Sequence, residues 1–538
     1  MEKPVQEVVE EIQTPEEVDA PQVRVVKGSG AFNEALLIEA PPLLHPTTIL
    51  LCLCTLVGFF CQTMNGFDGS LFGGLLANKT FLDHFHGEND GIWAGLVSSM
   101  YQIGGVCALP FVGPAIDTWG RRAGMFIGSI LIILGTIVTG LTLQNASAGQ
   151  FMGGRFLLGF GVSIASAAGP IYVVETSHPA FRGVVTAYCN TFWFVGSILA
   201  SGAVRGAINI TGNSSWQIPV WLQMLFSGLI ALSAFFLPES PRWLYVNGKR
   251  EQANAFLHKW HGYGNPDSAW VKLQLAEYDE LLNLDGADKR WWDYRALFKN
   301  GASRYRVLCN CGFALFGQWA GNSVLSFFLS AVLDTAGYHD SVTQTNIILA
   351  YACFQFAFAL AGAAFVDRIG RRPLMLFSMS SCCLTWIAMS TATGIYSGSG
   401  DTNIASAQAA IAFIFIFGAV YSVGITPLQA LYPVEVLSYE MRAKGMAFCS
   451  LATNAGGLLG QFAWPVALKN IGWKTYLIFI VWDAAQAVIM YFAFPETRKR
   501  TLEELDHIFE AQNPVKESLK KEQLALDAEN HVISSKVL

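Results

Sequence analysis

Charged residues are scarce in this sequence. They make up 14% of its 538 residues, whereas soluble domains carry about 25%. Hydrophobic residues account for 52% of the chain, and its mean hydropathy is +0.38. This composition excludes an ordinary soluble protein and predicts a polytopic membrane protein.

The sequence also lacks the patterns on which most catalytic and cofactor sites depend. Its eleven cysteines include no Cys-x-x-Cys pair, and no histidine falls in the middle of an apolar run, which argues against a metal or haem centre in the membrane. There is no phosphate-cradling loop, no nucleophile motif and no basic patch for nucleic acid. We therefore expect no enzymatic activity, no cofactor and no nucleic-acid partner.

Twelve apolar runs are long enough to cross a bilayer, which takes about 17–25 helical residues. They form two sets of six: 47–77, 92–114, 123–143, 151–173, 184–206 and 217–237, then 306–335, 344–365, 373–394, 406–432, 445–467 and 475–494. The predicted units are a disordered cytoplasmic tail (1–45), two six-helix bundles (46–241 and 305–495) joined by a linker of short amphipathic helices (242–304), and a second cytoplasmic tail (496–538).

Basic residues are concentrated in one set of loops, which includes the linker. Because positive charge marks cytoplasmic loops, both termini and the linker are expected in the cytoplasm. Four sequons on the opposite side agree with this topology; they begin at Asn78, Asn145, Asn209 and Asn213. Such triplets also occur by chance, so they support the topology without proving glycosylation.

A motif occurs twice, at equivalent places in the two sets. Asp117-Thr-Trp-Gly-Arg121-Arg122 follows the second run, and Asp367-Arg-Ile-Gly-Arg371-Arg372 follows the eighth. The glycine permits a sharp turn, and the arginines can cap helix carbonyls or pair with acids. Two copies at matching positions indicate duplicated six-helix halves, the layout of transporters that rock two bundles about a central site.

One carboxylate, Asp68, lies in the first apolar run among Gly66, Gly69, Gly73 and Gly74. An ionisable group at membrane depth is costly unless it faces a cavity or a partner, and glycines let a helix or a ligand come close. The alternative is an acid at a helix end, near the lipid headgroups.

Several further motifs follow in order along the chain. They are Gly154-Arg155, Pro170-Ile-Tyr-Val-Val-Glu175 with Arg182, Pro238-Glu-Ser-Pro-Arg-Trp-Leu244, Glu435 with Arg442, and Pro495-Glu-Thr497. Over about residues 45–510 the chain resembles the sugar porter family of the major facilitator superfamily. Gly317-Gln318-Trp-Ala-Gly-Asn322 and Thr426-Pro-Leu-Gln429 look closest to fungal lactose permeases and cellodextrin transporters. The resemblance implies an all-α fold with twelve transmembrane helices in two pseudo-symmetric bundles.

The resemblance also implies roles for the charged residues. Asp68 and Arg155 match a pair that carries proton coupling, although a static structural ion pair is the alternative. The loop charges match networks that hold the outward-open state from the cytoplasmic side. They are Asp117, Arg121, Arg122, Glu175 and Arg182, with Asp367, Arg371, Arg372, Glu435 and Arg442 in the second half.

Sugar recognition needs amides and hydroxyls for the OH groups and an aromatic face for the ring. The positions carried over from the family are Asn190, Trp193, Ser197, Gln318, Trp319, Asn322, Ser323, Gln429 and Asn454. Gly317, Phe327 and Ala430 replace larger or more polar side chains of hexose porters, which favours a disaccharide without requiring one.

Asp483, in the middle of the twelfth run, does not belong to the family pattern. It can pair with a neighbouring helix, face the central cavity or lie near an interface.

The expected function is proton-coupled import of a β-linked disaccharide, such as lactose or cellobiose, by a monomer in the plasma membrane. Its partners are the sugar, protons and the lipid bilayer. Two alternatives stay open: a sugar sensor on the same fold, and a transporter of another sugar or a polyol.

Overall fold

The structure, a computed structural model, describes residues 39, 42, 45–143, 147–285, 295–400, 402–438, 442–498, 502–520, 522–526 and 532–537. The predicted N-terminal tail lies almost wholly outside these residues.

The helices of the first half and the linker alternate between long membrane-length segments and short pieces. They are α1 Pro46–Leu75, α2 Lys79–Phe85, α3 Gly91–Gly113, α4 Arg121–Gly140, α5 Ala148–Thr176, α6 Arg182–Ala207, α7 Ser214–Ser233, α8 Pro241–Val246, α9 Arg250–Trp260 and α10 Ala269–Asp285.

The second half begins with a broken segment and ends in short elements beyond the last long helix. Its elements are α11 Gly301–Trp319, α12 Asn322–Phe327, α13 Leu329–Thr335, α14 Ser341–Ile369, α15 Arg371–Gly398, α16 Ile404–Val436, α17 Arg442–Ile471, α18 Thr475–Ala493, α19 Leu502–Glu510, α20 Pro514–Ser518, β1 Glu522–Leu526 and β2 Val532–Val537.

Each of the twelve predicted spans coincides with a long helix or, for the seventh, with α11–α13 in succession. Within the described residues, nine stretches are long and apolar enough to cross a membrane, and one of them, Lys444–Ala493, contains two helices. The seventh span is not the continuous helix that its apolar run suggested. It breaks at Gly321, which has a φ of 94°, and again at Phe328, where α12 ends and α13 begins.

The two halves meet along two helix pairs. Helix α3 packs against α17, and α6 packs against α14. The first pair consists of the second and eleventh spans, and the second pair consists of the fifth and eighth spans. The second span corresponds to the eighth and the fifth to the eleventh, so exchanging the halves turns one pair into the other. The interface is therefore pseudo-symmetric, as the duplicated motif predicted.

The repeated glycines make tight turns, as predicted. Gly120 and Gly370 have φ values of 105° and 106°, in a region that L side chains rarely adopt. Added Cβ atoms at these positions would lie 2.5 Å from Glu239 and 2.9 Å from Glu496. Each turn thus brings an acid against the first helical residues that follow it.

The region after the twelfth span has structure within its described residues. Helices α19 and α20 follow α18, and β1 pairs with β2 in an antiparallel hairpin. The linker also forms helices, α8 to α10, packed on the first half. We call the face of the protein that carries α8–α10 the linker face, and the opposite face the distal face.

Candidate functional site

Asp68 lies inside the first half and does not face lipid, as the sequence predicted for a functional acid. Its side chain is 0% exposed, and Nε2 of Gln223 on α7 donates a hydrogen bond to its Oδ1 at 3.0 Å. Within the described residues its Oδ2 has no partner. The carboxylate is therefore held by one neutral amide donor, and no cation is paired with it among the described residues.

Arg155 lies beside Asp68, but the two side chains do not form the expected ion pair. Nη1 of Arg155 donates to the backbone carbonyl of Asp68 at 3.4 Å, and the guanidinium stacks on the rings of Phe72 and Tyr101 at 4.9 and 5.0 Å. The aromatic faces attract the cation and hold it away from the carboxylate. Asp68 and Arg155 are therefore neighbours, but the carboxylate and the guanidinium are not bonded to each other in this structure.

The glycines around Asp68 let α1 approach a neighbouring helix of its own half and a helix of the second half. A Cβ added at Gly66 would lie 1.9 Å from the carbonyl oxygen of Trp193, and one added at Gly73 would lie 3.1 Å from that of Ser326. Gly69 differs, because an added Cβ would meet nothing within 4 Å. Asp68 is thus fixed to a helix that touches both sides of the central interface.

A narrow cavity lies between the halves, next to this part of α1. Ser70, Trp193, Ser197 and Ser201 line it from the first half. The second half contributes Leu325, Ser326, Leu329, Ile348, Tyr351, Ala352 and Gln355. Two predicted substrate residues, Trp193 and Ser197, therefore lie in the cavity, whereas Ser70, Tyr351 and Gln355 were not predicted.

A second group of polar side chains meets where α3 packs against α17. A Cβ added at Gly457 would lie 3.4 Å from Nε2 of Gln102 and 3.7 Å from Oε1 of Gln318. One added at Gly105 would lie 3.5 Å from Oδ1 of Asn454. Gln318 and Asn454 thus come together with Gln102, an amide on the second span that the sequence reasoning missed because the resemblance gave no substrate position there.

The other predicted substrate residues take part in local contacts. Gln429 donates to the Tyr421 hydroxyl at 3.1 Å, and Trp319 donates to the Gly456 carbonyl at 3.0 Å. Ser326 donates to Asn322 Oδ1 at 3.3 Å, and Ser323 donates to the Gln318 carbonyl at 3.0 Å. Asn190 is exposed and does not line the cavity described above.

The loop charges of the first half form a compact network at the linker face. Arg121 makes a bidentate contact with Glu175, at 2.8 and 3.0 Å, and a third contact with Asp117 at 3.1 Å. The Ser240 hydroxyl donates to Glu175 at 2.6 Å, and the backbone N–H of Arg121 donates to Glu239 at 3.2 Å.

The second half repeats this network with its own residues. Arg371 contacts Glu435 at 2.7 and 3.0 Å, and its backbone N–H donates to Glu496 at 2.9 Å. Thr497 donates to Glu435 at 2.5 Å, as Ser240 does to Glu175. Glu239 and Glu496 were missed as network members, although Pro-Glu-Ser and Pro-Glu-Thr at the ends of the two halves gave the signal.

The remaining predicted gate residues have more local roles. Arg122 donates to the carbonyls of Ala234 and Phe235, and Arg372 donates to that of Tyr491. These bonds cap helix ends, as the sequence suggested. Arg182 is half-buried near the linker. The side chains of Asp367 and Arg442 lie outside the described residues.

The described networks at the linker face do not join the halves; they stay inside one half each, because each arginine and its glutamate come from the same half. Within the described chain, four hydrogen-bonded or ion-paired couples of side chains join the halves, and they lie toward the distal face: Glu88 with Lys469, Asn89 with Asp334, Ser98 with Gln461, and Arg205 with Asn346. The structure is therefore closed at the distal face.

The sequons differ in accessibility. Asn78 is 2% exposed; its amide nitrogen donates to Ser215 and its amide oxygen accepts from the N–H of Thr80 at the start of α2. A glycan at Asn78 would require this cap to open, so the structure argues against it. Asn209 is exposed and Asn213 is half-buried, whereas Asn145 lies outside the described residues.

Comparison with known proteins agrees with this geometry. A family model described as "Sugar (and other) transporter" matches residues 54–509. The high-affinity glucose transporter of Kluyveromyces lactis is 28% identical over 83% of this chain and 82% of its own length. Polyol transporter 5 of Arabidopsis thaliana is 25% identical over 92% of each chain.

Among solved structures, the xylose transporter XylE from E. coli, in a partially occluded inward-open conformation, has the same fold. It superposes with a TM-score of 0.69 at 18% identity, over 84% of this chain and 99% of that one. The relatives are transporters and not enzymes. With two pseudo-symmetric six-helix halves and a matching family model over most of its length, this chain belongs to the sugar transporter family of the major facilitator superfamily.

Proposed function

We propose that the protein is a proton-coupled importer of a polyhydroxylated solute, with Asp68 as the residue that carries the coupled proton. The observation that carries this proposal is a buried carboxylate on α1, two residues before the cavity-lining Ser70. Any rearrangement of the halves that hydrates the cavity changes the surroundings of Asp68. Protonation and solute occupancy are then linked, because both depend on the same movement.

The solute in this proposal is a sugar, since the cavity offers hydroxyls and an amide beside the indole of Trp193. Within this class we propose a β-linked disaccharide such as lactose or cellobiose, because Gly317 and Ala430 stand where hexose porters carry larger side chains. At Gly317 the amide of Gln429 fills the space, since an added Cβ would lie 2.3 Å from it. A monosaccharide or polyol is the second candidate, favoured by the glucose and polyol transporters among the relatives.

We also propose that the protein acts as a monomer in the plasma membrane, with both termini and the linker in the cytoplasm. This orientation follows from the basic loops, which lie on the linker side. The distal face is then extracellular, and the structure represents a state closed to the outside. Asp117, Arg121, Glu175 and their second-half counterparts stabilise each half at the cytoplasmic side during the movement.

The test is uptake in yeast cells that lack their own sugar carriers. Labelled lactose, cellobiose, glucose and sorbitol are supplied with and without a proton uncoupler. The proposal expects accumulation of at least one sugar, abolished by the uncoupler, and disaccharide uptake supports the finer assignment. Uptake that the uncoupler does not reduce contradicts proton coupling. The absence of uptake for every solute favours a sugar sensor.

A further inference from the structure

A groove of about 410 Å³ lies at the linker face, separate from the central cavity. Its walls are formed by the start of α4, the end of α7, helix α8 and the start of α9. Because α4 begins and α7 ends here, the groove lies where two membrane spans leave the bilayer. We call it the α4–α9 groove, and its lining includes Trp119, Arg122, Phe126, Phe235, Trp243 and Lys249.

Part of the groove is apolar and exposed. Phe126 and Phe235 pack edge to face, with ring centres 5.2 Å apart, and Phe235 is 66% exposed. The next residue, Phe236, is 88% exposed. Trp119 is 62% exposed in the turn before α4, and tryptophan is enriched at the headgroup level of membrane proteins. Exposed rings at the ends of membrane spans form a surface that suits lipid.

The groove also carries two cations. The ammonium of Lys249 lies over the ring of Trp243, 5.0 Å from its centre. Arg122 donates from Nε and Nη2 to two backbone carbonyls just after α7, which leaves Nη1 for another acceptor. Neither cation forms an ion pair within the described residues. Both can therefore bind an anion from outside the protein.

Glu239 is the only acid in the described lining of the groove. Its carboxylate accepts hydrogen bonds from the backbone N–H of Arg121 at 3.2 Å and from that of Ser240 at 2.9 Å. Lys249 and Arg122 together outweigh its charge, so the groove has a net positive charge. A positive groove beside exposed rings matches a molecule with an anionic head and an apolar tail.

The matching turn of the second half is built differently. Ile369 stands there in place of Trp119, and Arg372, the counterpart of Arg122, lies over the ring of Tyr491 at 5.1 Å. The arginine–glutamate networks of the two halves are nevertheless alike. The repeated turn therefore does not require the aromatic and basic lining of the α4–α9 groove, which is a feature of the first half and the linker.

We propose that the α4–α9 groove is a binding site for an anionic phospholipid of the leaflet on the linker side. The headgroup phosphate is bound by Lys249 and by Nη1 of Arg122, and an acyl chain lies along Phe126 and Phe235. The bound lipid connects the start of linker helix α9 to the start of α4. The inference depends on the membrane fold of the chain and on neither the solute nor the coupled ion of the proposed function.

The test is native mass spectrometry of the full-length protein in detergent, supplied with phosphatidylserine and phosphatidylcholine of the same acyl chains at equal concentrations. We compare wild type, Lys249→Gln and the matched control Lys259→Gln. Lys259 also lies over an indole ring, that of Trp260 at 4.9 Å, but it does not line the groove. We expect wild type and control to retain phosphatidylserine preferentially, and Lys249→Gln to lower this preference about fivefold, the effect of one lysine beside an anionic lipid.

A second variant, Phe235→Ser, tests the contact with the acyl chain. It keeps both cations and is expected to lower the retention of phosphatidylserine, whereas an excess of inorganic phosphate is not expected to displace the lipid from the wild type. Lys249 and Phe235 are both exposed, so neither substitution leaves a buried gap.

Four results overturn the proposal. They are an equal lipid preference in Lys249→Gln and Lys259→Gln, a wild type that does not distinguish the two lipids, full retention by Phe235→Ser, and displacement of phosphatidylserine by inorganic phosphate. The last result would assign the two cations to a free anion and not to a lipid. Because uptake is not measured in this test, its outcome and that of the proposed function are independent.

Discussion

Nε2 of Gln223 donates a hydrogen bond to Oδ1 of Asp68 across 3.0 Å in the core of the first half. Arg155, the expected partner, reaches only the Asp68 backbone carbonyl. The carboxylate is therefore bound by a neutral amide in this state, and its ion pair with the guanidinium is unformed. A change in which Arg155 leaves Phe72 and Tyr101 for the carboxylate gives the acid a different proton affinity in a second state.

Gln223→Leu removes the side-chain donor to Asp68. A hydrogen bond to a charged group contributes about 1.5–3 kcal/mol, so without it the carboxyl holds its proton more firmly. We expect the pH profile of solute uptake to move toward alkaline pH. The control is Ser227→Ala on the same helix, since its hydroxyl donates only to the Gln223 backbone carbonyl. Identical profiles for Gln223→Leu and the control contradict a role in tuning Asp68.

The close approach of α1 and α6 depends on Gly66. An added Cβ there would lie 1.9 Å from a backbone oxygen, and overpacking typically costs about 1–3 kcal/mol. We expect Gly66→Ala to lower the thermal midpoint of the purified protein and its uptake. Gly69→Ala, three residues away in open space, serves as the matched control and is expected to be tolerated. Equal midpoints for the two variants would refute the packing argument.

Two buried histidines, His261 and His178, lie where the linker packs against the first half. His261 donates from Nε2 to the Thr176 carbonyl at 3.0 Å, and its ring centre lies 5.3 Å from that of His178. Burial lowers the pKa of His261 to about 4 and that of His178 to about 3. The usual pKa of histidine is about 6.5. At pH values between the lowered pKa values and 6.5, the two histidines therefore bind more protons when the linker is undocked than when it is docked.

We therefore expect docking of α9 and α10 to be most stable above about pH 6.5 and to weaken as the pH falls toward the lowered pKa values. We expect hydrogen–deuterium exchange in α9 and α10, corrected for the intrinsic pH effect, to rise on acidification. His261→Gln, which cannot be charged, is expected to flatten this dependence. Exchange in the linker that is independent of pH in the wild type contradicts the prediction.

The distal face is held in part by the ion pair of Glu88 and Lys469. Both side chains are substantially exposed, and such pairs contribute only about 0–1 kcal/mol. We expect Glu88→Lys or Lys469→Glu alone to raise hydrogen–deuterium exchange in residues 79–91 up to about fivefold, and the double charge reversal to restore it. A double variant no better than the singles rules out a direct contact.

Much of the fold was predictable because its determinants are local or repeated. The twelve apolar runs gave the spans, and the two copies of the Asp-x-x-Gly-Arg-Arg turn gave the duplication. The break in the seventh span was not predicted, because the apolar run of the sequence continues across Gly321. The strands beyond residue 520 carry too little hydrophobic pattern to stand out.

The burial of Asp68 was predictable from the sequence, but the residue that bonds its side chain was not. Asp68 is conspicuous as a lone charge in an apolar run, whereas Gln223 is one of several amides in the spans and lies far away in sequence. Arg155 was expected as the partner because the resemblance implies a proton-coupling pair with Asp68. Two aromatic faces compete for its guanidinium, and their positions depend on helix packing. For the same reason the burial of Asn78 is not visible in its sequon.

The central claim, that Asp68 carries the coupled proton, is tested most directly by Asp68→Asn in two assays on the same membrane vesicles. With a sugar that the wild type accumulates, we expect the variant to lose accumulation driven by a proton gradient while it retains counterflow of labelled against unlabelled sugar. Undiminished accumulation in Asp68→Asn would contradict the account.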